Sequence, residues 1–141
     1  MNNISYHSED IKFKPSNWKN TVEWLKNCIE KENKTCGDLS FIFCNDAYLL
    51  KINIEYLNHD TYTDVITFNY VEENTISGDV FISIERVKEN AATYKVSFAK
   101  ELLRVLVHAT LHLIGYDDQT TAKAEEIREK EDFYLTLHPK I

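Results

Sequence analysis

Between Phe98 and Ile114 the apolar residues are too dense to form the one-sided stripe of a surface helix, so this stretch reads as a helix packed on most of its circumference. It predicts a central helix, on which the other elements have to be arranged. Gly115 is the natural end, because a residue without Cβ takes the left-handed conformation that closes a helix C-terminus. A sharp turn through Tyr116, Asp117 and Asp118 follows.

Two histidines, His108 and His112, stand four positions apart on this helix and therefore lie one above the other on a single face, where both imidazoles can reach one ion. The turn after Gly115 can bring Tyr116, Asp117 or Asp118 back over that face as a third ligand. With Asp118 the set is two nitrogens and one carboxylate oxygen, which suits zinc and leaves a fourth position for water or substrate. The competing reading is a pair of core or surface histidines satisfied by hydrogen bonds alone. Imidazoles inside an otherwise apolar helix need partners in either case. A peptidase is disfavoured: the zincin helix carries glutamate directly after its first histidine as general base, and here that residue is Ala109.

A chain of 141 residues with 43% apolar content predicts one domain, 1–141, with a core large enough to need no disulfides. No run approaches the roughly twenty apolar residues of a spanning helix, and residues 1–7 lack the layout of a signal peptide, so a cytoplasmic protein without membrane contact is expected. Cys28, Cys36 and Cys44 are odd in number and show no C-x-x-C spacing. Small core residues are the expectation for them. The net charge of −7 argues against wrapping nucleic acid by bulk electrostatics. Any RNA would need a local basic cleft.

In chain order, Ile4 to Lys14 reads as an edge strand ending at Pro15, and Ser16 or Asn17 as the cap of a helix carrying Trp18, Val22, Trp24, Leu25, Cys28 and Ile29. Asp38 to Cys44 is rich in β-formers. Asn45 or Asp46 caps a short helix ending near Leu57, with 58–62 as a loop from which His59 could swing toward a metal. Val65–Tyr70 and a strand opening at Gly78-Asp79 form an antiparallel hairpin. A helix over 85–94, the central helix, and a charged, mostly solvated outer helix from Thr120 complete the chain. This order predicts an α+β fold, a small mixed sheet of about four strands packed with about five helices around the central one.

The run His108-Ala109-Thr110-Leu111-His112-Leu113-Ile114-Gly115-Tyr116-Asp117-Asp118 resembles the signature H-G-x-L-H-L-x-G-Y-D-H of the YbeY family of bacterial rRNA maturation factors. Thr63-Asp64-Val65-Ile66-Thr67-Phe68 resembles that family's T-D-V-L-S-F strand, and Ser77-Gly78-Asp79-Val80-Phe81-Ile82-Ser83 its L-G-D-I-x-I-S segment. The resemblance implies a single-strand-specific, zinc-dependent endoribonuclease of ribosomal RNA maturation and small-subunit rRNA processing. Ribosomal RNA, ribosomal particles and ribosome-associated proteins would be its partners, and the signature's three ligand positions, here His108, His112 and Asp118, would bind the metal.

Four departures from the pattern bear on the chemistry. Asp118 replaces the third histidine, adding negative charge that lowers the Lewis acidity of a bound ion. Leu57 stands where many members have an arginine suited to phosphate, Tyr62 replaces a proline, and Ala109 a glycine. Asp117 is a candidate base, with a turn residue bonded to backbone as its structural alternative. Arg104, one turn before His108, is a candidate phosphate contact, which a buried ion pair would explain equally. Lys95, Lys100, Lys123 and Arg128 are candidates for a basic rim. The alternative function is a non-catalytic ribosome-assembly binding factor in which zinc ties the Gly115 turn to the helix.

Overall fold

The computed structural model describes residues 3–57 and 63–139. Four strands and five helices follow one another as β1 (Ile4–Ser8), α1 (Trp18–Lys31), β2 (Thr35–Cys44), α2 (Asp46–Leu57), β3 (Val65–Asn69), β4 (Thr75–Ser83), α3 (Ile84–Tyr94), α4 (Phe98–Ile114) and α5 (Thr121–Thr136). The sheet order is β1-β2-β4-β3, with β1, β2 and β4 parallel and β3 antiparallel to β4. The α+β mixed sheet and the hairpin expected from the sequence are both present. Asn58 to Tyr62, and with them His59, lie outside the described residues.

The alternation of side chains along the central strands separates two cores. Leu39, Phe41 and Phe43 of β2, with Ile76, Val80 and Ile82 of β4, face a large cluster shared with α1, α4 and α5. Cys44, Phe68 and Phe81 face a smaller one beneath Leu49 of α2. Buried on both faces, β2 reads as the unbroken apolar run Phe41-Ile42-Phe43-Cys44. Helix α4 packs against α1, α3, α5, β3 and β4, the central position its composition demands. Its approach to the sheet is close at Gly78: a Cβ there would lie 2.6 Å from the carbonyl oxygen of Phe68 and 3.2 Å from both Cδ atoms of Leu113.

Several boundaries differ from the sequence reading, each for a local reason. The first strand stops at Ser8 instead of reaching Pro15, because Asp10 turns the chain with φ of 58°. Strand β2 begins at Thr35, before its apolar run, with an irregularity between Cys36 and Leu39. Strand β4 begins at Thr75, three residues before Gly78, in register with Thr35. Asn17 takes the cap position of α1 in a left-handed conformation and its side chain caps nothing, whereas Asn45 Oδ1 accepts from the Tyr48 amide at 2.8 Å. Both tryptophans pack on the core: buried Trp24 donates from Nε1 to the Tyr134 carbonyl at 2.6 Å, and half-buried Trp18 meets Tyr6, Phe41 and Phe43 edge to face. Burial pushes the thiols of Cys28 and Cys44 up to about 12, which leaves them inert near neutral pH.

One polar cluster joins α1 to α5 and to the turn after α4. Glu32, just past α1, accepts from the Tyr116 hydroxyl at 2.6 Å, from Lys130 Nζ at 3.2 Å and from the Tyr134 hydroxyl. Burial opposes its charge, but the hydrogen bonds from Tyr116, Tyr134 and Lys130 outweigh that and hold its pKa below the ordinary value. A depressed folded pKa stabilises the fold above the unfolded value of about 4.3, and this contribution fades as pH falls through the folded value. Glu32→Gln should therefore lose about 1–2 kcal/mol of stability at pH 7, a deficit that shrinks toward zero in acid, as read from urea midpoints of both proteins across pH.

Candidate metal centre

The apolar flank of α4 fixes where its polar face can point. Leu102, Leu106, Leu111 and Leu113 are buried with Ala109 in the main core, which leaves Arg104, His108 and His112 along a half-buried stripe. Gly115, with φ of 130°, ends the helix in a Schellman closure. Its amide donates to the His112 carbonyl at 3.1 Å, and the Tyr116 amide reaches back to the Leu111 carbonyl at 3.0 Å. Tyr116 is then anchored on Glu32, and the next residues are carried back across the histidine face.

Nε2 of His108 and Nε2 of His112 are 3.0 Å apart, and Asp118 Oδ2 lies 3.9 Å from each. Among the described residues these three are the group whose ligand atoms converge, all within 4.8 Å of one another. Tetrahedral zinc with bonds of about 2.0–2.1 Å would place its ligand atoms about 3.3 Å apart. The spacing of the two nitrogens is close to that edge.

The tautomer of His108 is set from behind by a residue that the sequence reading did not single out. Glu131 of α5, only 3% exposed, pairs with Nδ1 of His108. An ionised carboxylate only accepts, so Nδ1 carries a proton and, in the neutral ring, the Nε2 lone pair faces His112. Two imidazole nitrogens at such a distance need a shared cation or proton between them. The donor set therefore fits a metal ion on its own chemistry. Arg104 Nη1 binds the other Glu131 oxygen at 2.9 Å, and its Nη2 binds Asp132 at 2.7 Å.

The ionisation states follow the same contacts. Burial disfavours charge on His108, yet the bond to Glu131 and the nearby carboxylates raise its pKa above the usual histidine value. Burial and the adjacent His108 lower that of His112, which favours the neutral form a ligand requires. Burial also opposes charge on Glu131, but His108 and Arg104 hold its pKa low. Asp117 Oδ1 accepts from the Gln119 amide at 3.1 Å and its Oδ2 from Lys123 at 3.4 Å, and these two bonds keep its pKa below the ordinary aspartate range.

A cleft of about 610 Å³ opens beside the histidines between α3, α4 and α5, lined by Asp64, Asn90, Glu101, Arg104, His108 and Asp118 among others. Tyr94 and Arg128 also border it, so of the four candidate basic residues only Arg128 reaches the cleft. Leu57, at the last residue of α2, is 41% exposed and lies outside the cleft lining. The outer helix, expected to be mostly solvated up to apolar contacts from Phe133, Tyr134, Leu135 and Leu137, buries Tyr134 and Leu135 while Phe133 and Leu137 stay exposed, and Ile127 and Glu131 extend its buried face. The i, i+4, i+7, i+8 spacing of Ile127, Glu131, Tyr134 and Leu135 was visible in the sequence, but a glutamate on that stripe carries no sign of its partner.

Replacing Glu131 with glutamine should keep the side chain's shape while weakening the hold on His108. A 10- to 100-fold loss of zinc affinity is expected, measured by competition with a chromophoric chelator, with the far-ultraviolet circular dichroism unchanged.

The model of the family described as "Endoribonuclease YbeY" matches residues 3–138. A relative of that name from Amoebophilus asiaticus is 50% identical over 134 residues, covering 94% of this chain and 91% of the relative. Another, from Flavobacterium johnsoniae, is 50% identical over 137 residues, covering 97% and 96%. The solution structure of TM1509 from Thermotoga maritima superposes with a TM-score of 0.68 at 29% identity, covering 94% of this chain and 86% of that one. With its fold, its convergent histidine pair and near-complete matches of this kind, the chain belongs to the endoribonuclease YbeY family.

Proposed function

We propose that this protein is a zinc-dependent endoribonuclease that cuts single-stranded RNA during ribosomal RNA maturation, small-subunit rRNA included, with His108, His112 and Asp118 holding the ion. The observation that carries the reading is the convergence of two imidazole nitrogens and one carboxylate oxygen beside an open cleft. A structural zinc is closed by four protein ligands, whereas this set has three and remains half exposed. That difference favours the enzyme over a binding factor with a structural ion.

When bound, zinc supplies Lewis acidity that polarises a phosphoryl oxygen and makes water a usable nucleophile near neutral pH. The chain's residues do the positioning. Glu131 holds His108 in the ligating tautomer, and Arg104 holds Glu131. Engaged on both prongs, Arg104 acts through this chain of contacts and not on phosphate. Asp117, committed to Gln119 and Lys123, shapes the loop that presents Asp118. Arg128 is the guanidinium on the cleft wall that makes no ion pair with a described residue, which suits it to a backbone phosphate. No described helix is long and apolar enough to cross a membrane.

Purified protein supplied with zinc should cleave a 5′-labelled single-stranded RNA, lose the activity to a chelator and regain it on zinc return. His112→Ala should lower the rate at least about 100-fold while remaining folded, in line with loss of a metal-dependent step. Equal cleavage by His112→Ala, or none by the zinc-loaded wild type, would contradict the assignment.

A further inference from the structure

Glu101 is a buried group that the metal centre does not use. It sits on α4 two turns before His108 and on the same face, about 10 Å away along the axis. The residue is only 5% exposed and lines the cleft, yet its side chain forms no hydrogen bond or ion pair with any described residue. Among the described residues no buried side-chain oxygen is sealed without a partner, so the Glu101 oxygens open onto the cleft that the residue lines. Arg104 shares the cleft but spends its guanidinium on Glu131 and Asp132.

A carboxyl placed this way is costly unless something in the cleft donates to it. Burial pushes its pKa up, with the charges of Arg104 and Arg128 opposing and those of Asp64 and Glu131 adding to the effect. Across the cleft Asn90 donates to Asp64 at 3.4 Å, and Tyr94, 59% exposed at the end of α3, stands at the rim. An acceptor at the bottom and an aromatic ring at the mouth are what a splayed-out base requires.

We propose that this cleft is a nucleobase subsite selective for guanine, in which the Glu101 carboxylate accepts the two adjacent N–H groups of the guanine edge and Tyr94 stacks on the ring. Among the RNA bases only guanine offers two neighbouring donors there. Adenine and cytosine set a ring acceptor beside their amino group, and uracil sets carbonyls on both sides of its single N–H, so each leaves one carboxylate oxygen unmatched. The offset from His108 matches the reach from a phosphate at the metal centre to the base of a neighbouring nucleotide. The subsite rests on the ribonuclease reading only for that placement.

Equilibrium binding of GMP, AMP, CMP and UMP to zinc-loaded protein tests the base, and cleavage positions along a mixed-sequence single-stranded RNA test the register. GMP should bind about tenfold or more tightly than the other three. Glu101→Gln should bring the four to within about twofold of one another, and Tyr94→Ala should weaken all four while leaving guanine preferred. Cuts by the wild type should fall at a fixed offset from guanosine, and those by Glu101→Gln should not. If Glu101→Gln fails to fold, wild-type discrimination and Tyr94→Ala still decide. Equal binding of all four, or guanine preference surviving in folded Glu101→Gln, would overturn the subsite. Cleavage without a guanosine offset would overturn it and leave the nuclease intact, whereas guanine preference without cleavage would remove the nuclease and keep the subsite.

Discussion

The contact between Glu131 on α5 and His108 on α4 is the constraint on which the candidate centre depends. It takes a carboxylate out of water, which is tolerable only because both oxygens are engaged, one by His108 and one by Arg104. Removing either partner would leave a buried charge unmatched, so the trio stands or falls together. Its consequence is directional: with Nδ1 occupied, His108 can offer only Nε2 to the cleft. The packing of two helices thereby becomes the orientation of a candidate ligand.

A second tie works on the opposite side of the site. The Schellman closure at Gly115 sets the exit of the chain from α4, and Glu32 fixes Tyr116 just beyond it. Asp118 is consequently delivered from a loop whose beginning is anchored on α1 and α5 rather than from a free segment. The close approach of α4 to β4 at Gly78 seats the whole helix on the sheet. Glu131 and Glu32, on different elements, hold His108 and Tyr116, and so steady the candidate centre from two directions.

The sequence revealed those parts governed by local periodicity and by short-range geometry. Dense apolar residues marked α4 as central, the i, i+4 histidines marked the face of the candidate centre, and Gly115 marked the turn. The hairpin of β3 and β4 and a cap of α2 at Asn45 or Asp46, which the structure places at Asn45, were equally legible, because each rests on residues close in the chain. Partners distant in sequence were not. Glu131 lies 23 residues from His108 and looks like one more charge on a polar helix, and Arg104 looked equally suited to phosphate until its two carboxylates were placed. The early start of β4 has a similar origin, since Thr75 pairs with Thr35, forty residues away, across the sheet.

Zinc-edge X-ray absorption on the purified, zinc-loaded protein tests the central claim most directly, since it reports the atoms around the ion whether or not a substrate is known. Two imidazoles at about 2.0–2.1 Å, oxygen ligands at about 2.0–2.2 Å and no sulfur shell are expected, with one imidazole lost in His112→Ala. A sulfur shell near about 2.3 Å, or an unchanged spectrum in that variant, would place the ion elsewhere and contradict the account.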